Sequence, residues 1–144
     1  MDEATLESQG WTRRSFGGFI DCAGPIWTRR RQPGFSYGML IEPKHLNAQG
    51  IVHGGALETL IDHAVSLTAW EACARTPCVT LQLDTHFVAA VRLGAFVEAV
   101  GTVVRKTPGI VFMQGALTVD DQTVLTAQAL MKIRSARQLT DRAA

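Results

Sequence analysis

The chain of 144 residues is 47% apolar and 19% charged, with a formal net charge of +1. That length suits one domain with a sizeable core. The charge balance gives no electrostatic case for nucleic acid or an anionic membrane surface. No apolar run reaches transmembrane length, and the opening MDEATLESQG is acidic and polar rather than a signal peptide, so a cytoplasmic protein is expected.

Residues 3–9 suit a short helix, whereas 10–24 mixes glycines and aromatics without a readable period. Cys22, with Cys73 and Cys78 further on, has no C-x-x-C spacing, and the three read as reduced thiols. PIWTRRR at 25–31 suits a strand whose basic end is solvated, and QPG at 32–34 signals a turn. FSYGMLIE at 35–42 is a second strand stopped by Pro43, and a loop runs from 47 to 52.

From Gly54 to about Cys73 the period is helical. Leu57, Leu60, Ile61, Ala64, Val65, Thr68 and Ala69 recur at i, i+3, i+4 and i+7. Arg75-Thr76-Pro77 ends that helix, and the period then changes to two. CVTLQLDTHF at 78–87 alternates Val79, Leu81, Leu83 and Thr85 against Thr80, Gln82, Asp84 and His86. Strands at 95–106, 109–119 and 123–134 follow, close enough in sequence to be antiparallel. The tail from Ser135 is polar. The order of elements predicts an α+β domain over 1–144, one sheet around one long helix, with 1–34 as an extension plus first strand.

The chemistry concentrates in NAQGIVHGGALETLID, from Asn47 to Asp62. Glycines at a helix start leave bare N–H groups at the positive end of the helix dipole, a place for an anion or an oxygen that becomes one. Asp62 then interrupts an apolar surround of Leu60, Ile61 and Val65, where an unpaired carboxylate is costly enough to need a reason.

Asn47, Gly50, His53-Gly54-Gly55 and Thr59-Leu60-Ile61-Asp62 resemble the pattern of hotdog-fold acyl-CoA thioesterases, of the phenylacetate-pathway (PaaI-like) and 4-hydroxybenzoyl-CoA type. The resemblance covers about residues 35–134. It implies an antiparallel sheet wrapped around a central helix and hydrolysis of an acyl-CoA to CoA and a carboxylic acid, with no cofactor or metal. It also implies that the Gly54 amide polarises the thioester carbonyl with help from Asn47, and that Asp62 activates water or attacks directly. Thr80 falls where related enzymes have a hydroxyl that holds the water, and Ser66 where another branch has one. His53 and Gly55 would shape the substrate loop, and a dimer of dimers is the assembly implied.

Geometry adds a constraint. Gly54 and Asp62 lie eight residues apart, about 12 Å along one helix axis. A carbonyl held about 3 Å from the Gly54 amide is out of attack distance of the same chain's Asp62. Two antiparallel copies of the helix about a two-fold axis bring the halves together, so a homodimer with a shared site is expected.

Other polar residues take blander readings. Glu58 suits the surface or dimer rim, and His63, about 100° around the helix from Asp62, suits packing. His45 and His86 have no metal-ligand spacing. Arg105 and Lys106 are candidates for the CoA phosphates, as are Arg92, Lys132 and Arg134. Trp27, Trp70, Phe87 and Phe112 suit either an acyl pocket or the core. A hydratase would need an Asp-x4-His pair, which this sequence lacks. A non-enzymatic acyl-CoA-binding module would have no use for Asp62, and residues 1–34 suit no DNA-binding segment.

Overall fold

The computed structural model describes residues 1–134; the expected polar tail from Ser135 lies outside the described residues. Helix α1 (Glu3–Ser8) starts where the Asp2 side chain accepts a 2.9 Å hydrogen bond from the Thr5 N–H. The stretch that has no readable period holds β1 (Thr12–Arg14) and a short helix α2 (Gly18–Ala23). Strands β2 (Ile26–Arg30) and β3 (Phe35–Leu40) follow, then a 3-10 turn at Pro43–His45. The long helix α3 spans Gly54–Ala72, and β4 (Cys78–Phe87), β5 (Phe96–Lys106), β6 (Ile110–Val119) and β7 (Gln122–Ile133) complete the order.

All seven strands form one antiparallel sheet in the order β1-β2-β3-β5-β6-β7-β4. It wraps around α3, which buries Leu57, Leu60, Ile61, Ala64, Val65 and Ala69 against it. Leu60 and Ile61 are fully covered, each worth roughly 1.5–3 kcal/mol of apolar burial. Close approach of helix and sheet depends on Gly115 of β6, where a Cβ would come within 2.7 Å of Ile61 Cδ1. A smaller cluster of Leu6, Trp11, Trp27 and Phe96 fastens the N-terminal segment to the sheet. Trp27 is therefore core, not a pocket wall.

Two features of β4 matter for the site. It is the last strand of the sheet, so one of its edges is unpaired among the described residues. Its pairing with β7 also slips between Thr80 and Gln82, so that Leu81 bulges outward and is 56% exposed. Strict alternation would put Thr80 on the face of Gln82, Asp84 and His86. The extra residue instead turns Thr80 to the helix side, together with Leu83 and Thr85.

Candidate active site

The loop before α3 is organised by its own polar groups. His45 is 4% exposed; its Nδ1 accepts from the Glu42 N–H at 2.9 Å, so its Nε2–H donates to the Ala23 carbonyl at 2.6 Å. That pair ties α2 to the loop, and the His45 carbonyl accepts from the His53 N–H at 2.8 Å. Asn47 Oδ1 accepts from the Gln49 N–H at 2.9 Å and the Ile51 N–H at 3.4 Å, which fixes the turn. His53 is the N-cap of α3, and its Nδ1 accepts from the Gly55 N–H at 2.9 Å. The Gly55 amide is thus used within the cap. Among the described residues, the Gly54 N–H donates to no other group.

Gly54 and Asn47 line a cavity of about 370 Å³ with Leu57, Phe87 and Val91. The Phe87 ring lies against Gly54, where a Cβ would stand 3.1 Å from Phe87 Cζ. A backbone donor at a helix N-terminus beside an apolar wall suits a carbonyl oxygen that gains charge.

Two turns along α3, Asp62 meets the bulged strand. Thr80 Oγ1 donates to Asp62 Oδ1 at 2.8 Å, and Ser66 Oγ stands 3.5 Å from Thr80 Oγ1. A carboxylate beside two hydroxyls, half-buried at the sheet edge, can hold a water and take its proton. One turn earlier, Glu58 is held by Thr85, whose Oγ1 donates to Oε1 at 2.9 Å. Nothing in the period of β4 signals the pairing of Thr80 with Asp62, because the bulge that makes it possible adds an unmarked residue.

The remaining candidates are dispersed. Lys106 Nζ donates to the Ala72 carbonyl at 3.0 Å, at the opposite end of α3 from Gly54, and Arg105 is exposed beside it. His63 packs edge-on between Phe16 and Tyr37, with centroid distances of 4.5 and 5.7 Å. Burial holds its imidazole below the ordinary 6.5, with the Asp62 charge opposing, and its Nε2 is buried with no partner. No cluster of three or more metal-ligating side chains occurs among the described residues, and none of the helices there is long and apolar enough to cross a membrane. The cavity at Gly54 does not include Asp62.

The model of the thioesterase superfamily matches residues 49–126, more than half of the chain and the whole span from the helix start to β7. The chain belongs to the thioesterase superfamily. Its fold is the hotdog fold, shared with solved thioesterases. Zebrafish thioesterase superfamily member 2 is 19% identical with a TM-score of 0.75, covering 81% of this chain and 87% of its own. The phenylacetic acid degradation protein PaaI of Thermus thermophilus is 22% identical with a TM-score of 0.71, covering 81% and 98%. A Bacillus halodurans protein solved with CoA is 21% identical with a TM-score of 0.72, covering 91% and 82%. No curated protein sequence matches the chain. Superfamily membership supports thioester hydrolysis as the general activity of this thioesterase.

Proposed function

We propose that this thioesterase hydrolyses an acyl-CoA to CoA and a carboxylic acid at a site shared between two copies of the chain. One copy supplies the Gly54 N–H and Asn47, and the other supplies Asp62, Thr80 and Ser66. The observation that carries the reading is the 2.8 Å bond from Thr80 to Asp62, made at the unpaired edge of the sheet while the Gly54 amide faces its own cavity.

The thioester carbonyl oxygen accepts from the Gly54 N–H, which stabilises the charge gained as the carbonyl carbon becomes tetrahedral. A water held by the Thr80 and Ser66 hydroxyls gives its proton to Asp62 as its oxygen bonds to that carbon. The C–S bond then breaks, the thiolate of CoA takes the proton from Asp62, and the acid leaves. The separation of about 12 Å between Gly54 and Asp62 on one helix favours the shared arrangement. The open edge of β4, next to Asp62, is a suitable seam for the second copy. The CoA in the Bacillus halodurans relative favours a CoA thioester as substrate. The exposed Arg105 is the basic group we assign to the CoA phosphates, with Lys106 beside it and His53 holding the loop. A dimer of such dimers completes the assembly.

Free thiol released from an acyl-CoA panel tests the activity. Asp62→Asn keeps size and removes the charge, so turnover should fall by about 2 to 4 orders of magnitude with acyl-CoA binding retained. Full activity in that variant would move the role to Glu58, whereas binding without hydrolysis by the wild type would leave the chain an acyl-CoA-binding module.

A further inference from the structure

Three polar side chains are buried among the described residues, Thr28, Ser36 and His45, and the proposed reaction uses none of them. Of these, His45 stands at the foot of the loop that ends on Gly54. Residues 45–47 and 51–53 form a small antiparallel ribbon with a bridge between Leu46 and Val52. The His53 N–H donates to the His45 carbonyl and the Asn47 N–H to the Ile51 carbonyl, both at 2.8 Å. The Asn47 side chain and Gly50, at φ +75, close its turn. One leg therefore runs into His53 and Gly54, and the other starts at His45.

Each leg is tied to the rest of the chain. On the later leg the Val52 N–H donates to the Val91 carbonyl at 2.9 Å. On the earlier leg the tie is the His45 imidazole, with Nε2–H on the Ala23 carbonyl at 2.6 Å and the Glu42 N–H on Nδ1 at 2.9 Å. The ring is buried, so turning it would leave a donor or an acceptor unpaired. Ala23 is itself held, as the last residue of α2. The Asp21 carboxylate accepts from Ser15 Oγ and from the Phe16 and Gly17 N–H groups at 2.6, 2.8 and 3.0 Å. Ile20 packs α2 against the main core.

A shift of His45 thus moves its carbonyl, the His53 cap bonded to it, and the Gly54 N–H that follows. An oxyanion donor acts only where the charge forms, and a misplacement of about 1 Å can cost about 100-fold. We infer that His45 is a positioning residue of the reaction, which aims the Gly54 N–H at the thioester carbonyl through His53 and is braced by α2. This rests on the reading above, in which the Gly54 amide is the donor. It also gives α2, which lies outside the span matched by the superfamily model, a part in the chemistry.

Two substitutions separate the bonds of the ring. His45→Asn keeps an acceptor at the level of Nδ1 and stops short of Ala23, whereas His45→Gln keeps a donor at the level of Nε2. With the acyl-CoA turned over fastest, His45→Asn should lower kcat about 30- to 100-fold and leave KM within about threefold. His45→Gln should bring kcat back to within about fivefold of the wild type. Mixed dimers locate the lesion. His45→Asn chains should regain about one working site per dimer with Asp62→Asn chains, whose Gly54 end is intact, and none with Gly54→Pro chains. Wild-type kcat in a folded His45→Asn variant would overturn the inference. So would recovery with Gly54→Pro and not with Asp62→Asn, which would put the lesion at the acid. If His45→Asn does not fold, Asp21→Ala on the exposed side of α2 replaces it. That variant should lower kcat about three- to tenfold at unchanged KM, and full kcat would remove the brace. If Gly54→Pro and Asp62→Asn chains fail to complement each other, the shared site fails, and the comparison of Asn with Gln decides His45 alone. If no thioester is hydrolysed, the enzyme reading fails, and the Gly54 amide resonance decides instead. It should move in His45→Asn and return in His45→Gln, and an unmoved resonance would end the inference.

Discussion

At the scale of single residues, His63 and Asp62 are neighbours in sequence with opposite environments. Asp62 faces hydroxyls at the sheet edge, while His63 is clamped by two aromatic rings with a buried, unpartnered Nε2. The folded His63 binds its proton less readily than the unfolded chain, whose value is near 6.5. Between those two values the unfolded state holds more protons, so stability rises with pH there. The contribution is complete above 6.5 and is lost as pH falls from 6.5 toward the folded value. Melting temperatures of the wild type at pH 8, 6 and 5 should fall accordingly, and His63→Phe, which fits the same slot without a titrating nitrogen, should flatten that part of the profile. A variant with the wild-type slope would place the acid sensitivity elsewhere. His63 reads as packing from helix phase alone, but its missing partner is a three-dimensional fact that no spacing announces.

At the scale of elements, α3 carries both ends of the chemistry, and its geometry allows a direct test. A proline at 54 removes the N–H and suits the first position of a helix. The preceding His53, at φ −63 and ψ 133, already has the extended backbone that a following proline requires. Gly54→Pro and Asp62→Asn homodimers should both be inactive. Mixed dimers should recover up to about one working site, formed by the intact Gly54 of one chain and the intact Asp62 of the other. Gly54→Ala, which keeps the donor and crowds Phe87 from 3.1 Å, is the milder partner if proline disturbs the helix entry. No recovery in heterodimers confirmed by mass spectrometry would mean that both groups act within one chain. The helix, its apolar stripe and the four later strands were legible because each runs for ten residues or more, long enough for its dominant period to survive the local bulges in β4, β5 and β6. Helix α2 was not. Its N-cap Gly17 makes no side-chain cap bond, and its anchor is the bond from His45 to Ala23, 22 residues away in the chain. The facing of Thr80 was hidden for a different reason, since period-two counting has no mark for a bulge.

At the scale of the whole molecule, the sheet ends on the short β1 at one side and on the ten-residue β4 at the other. Arg29 stacks on Trp11 at 4.4 Å and pairs with Glu98 at 3.1 Å, so β1 and α1 cover the β2 side. At the far end β4 has no second neighbour among the described residues, and Val79 and Phe87 on it and Val88 just after it are 46%, 52% and 59% exposed. A free monomer would leave this edge in water as a template for other chains. Light scattering at micromolar concentration should therefore find a dimer of the 15.6 kDa chain or a multiple of it. A fully active monomer would contradict the shared site.

The bulge at Leu81 also has a consequence for chain length. Excising that residue joins Thr80 to Gln82 and leaves plain alternation, with Thr80, Leu83 and Thr85 still facing α3. Excising Asp84 would instead put Leu83 directly before Thr85, and the two could no longer share the inner face of a regular strand. Leu81 thus has the character of an insertion. A relative with an unbroken strand would carry one residue fewer between its hydroxyl and the next inward side chain, and an alignment without a gap there would pair Thr80 with an outward residue.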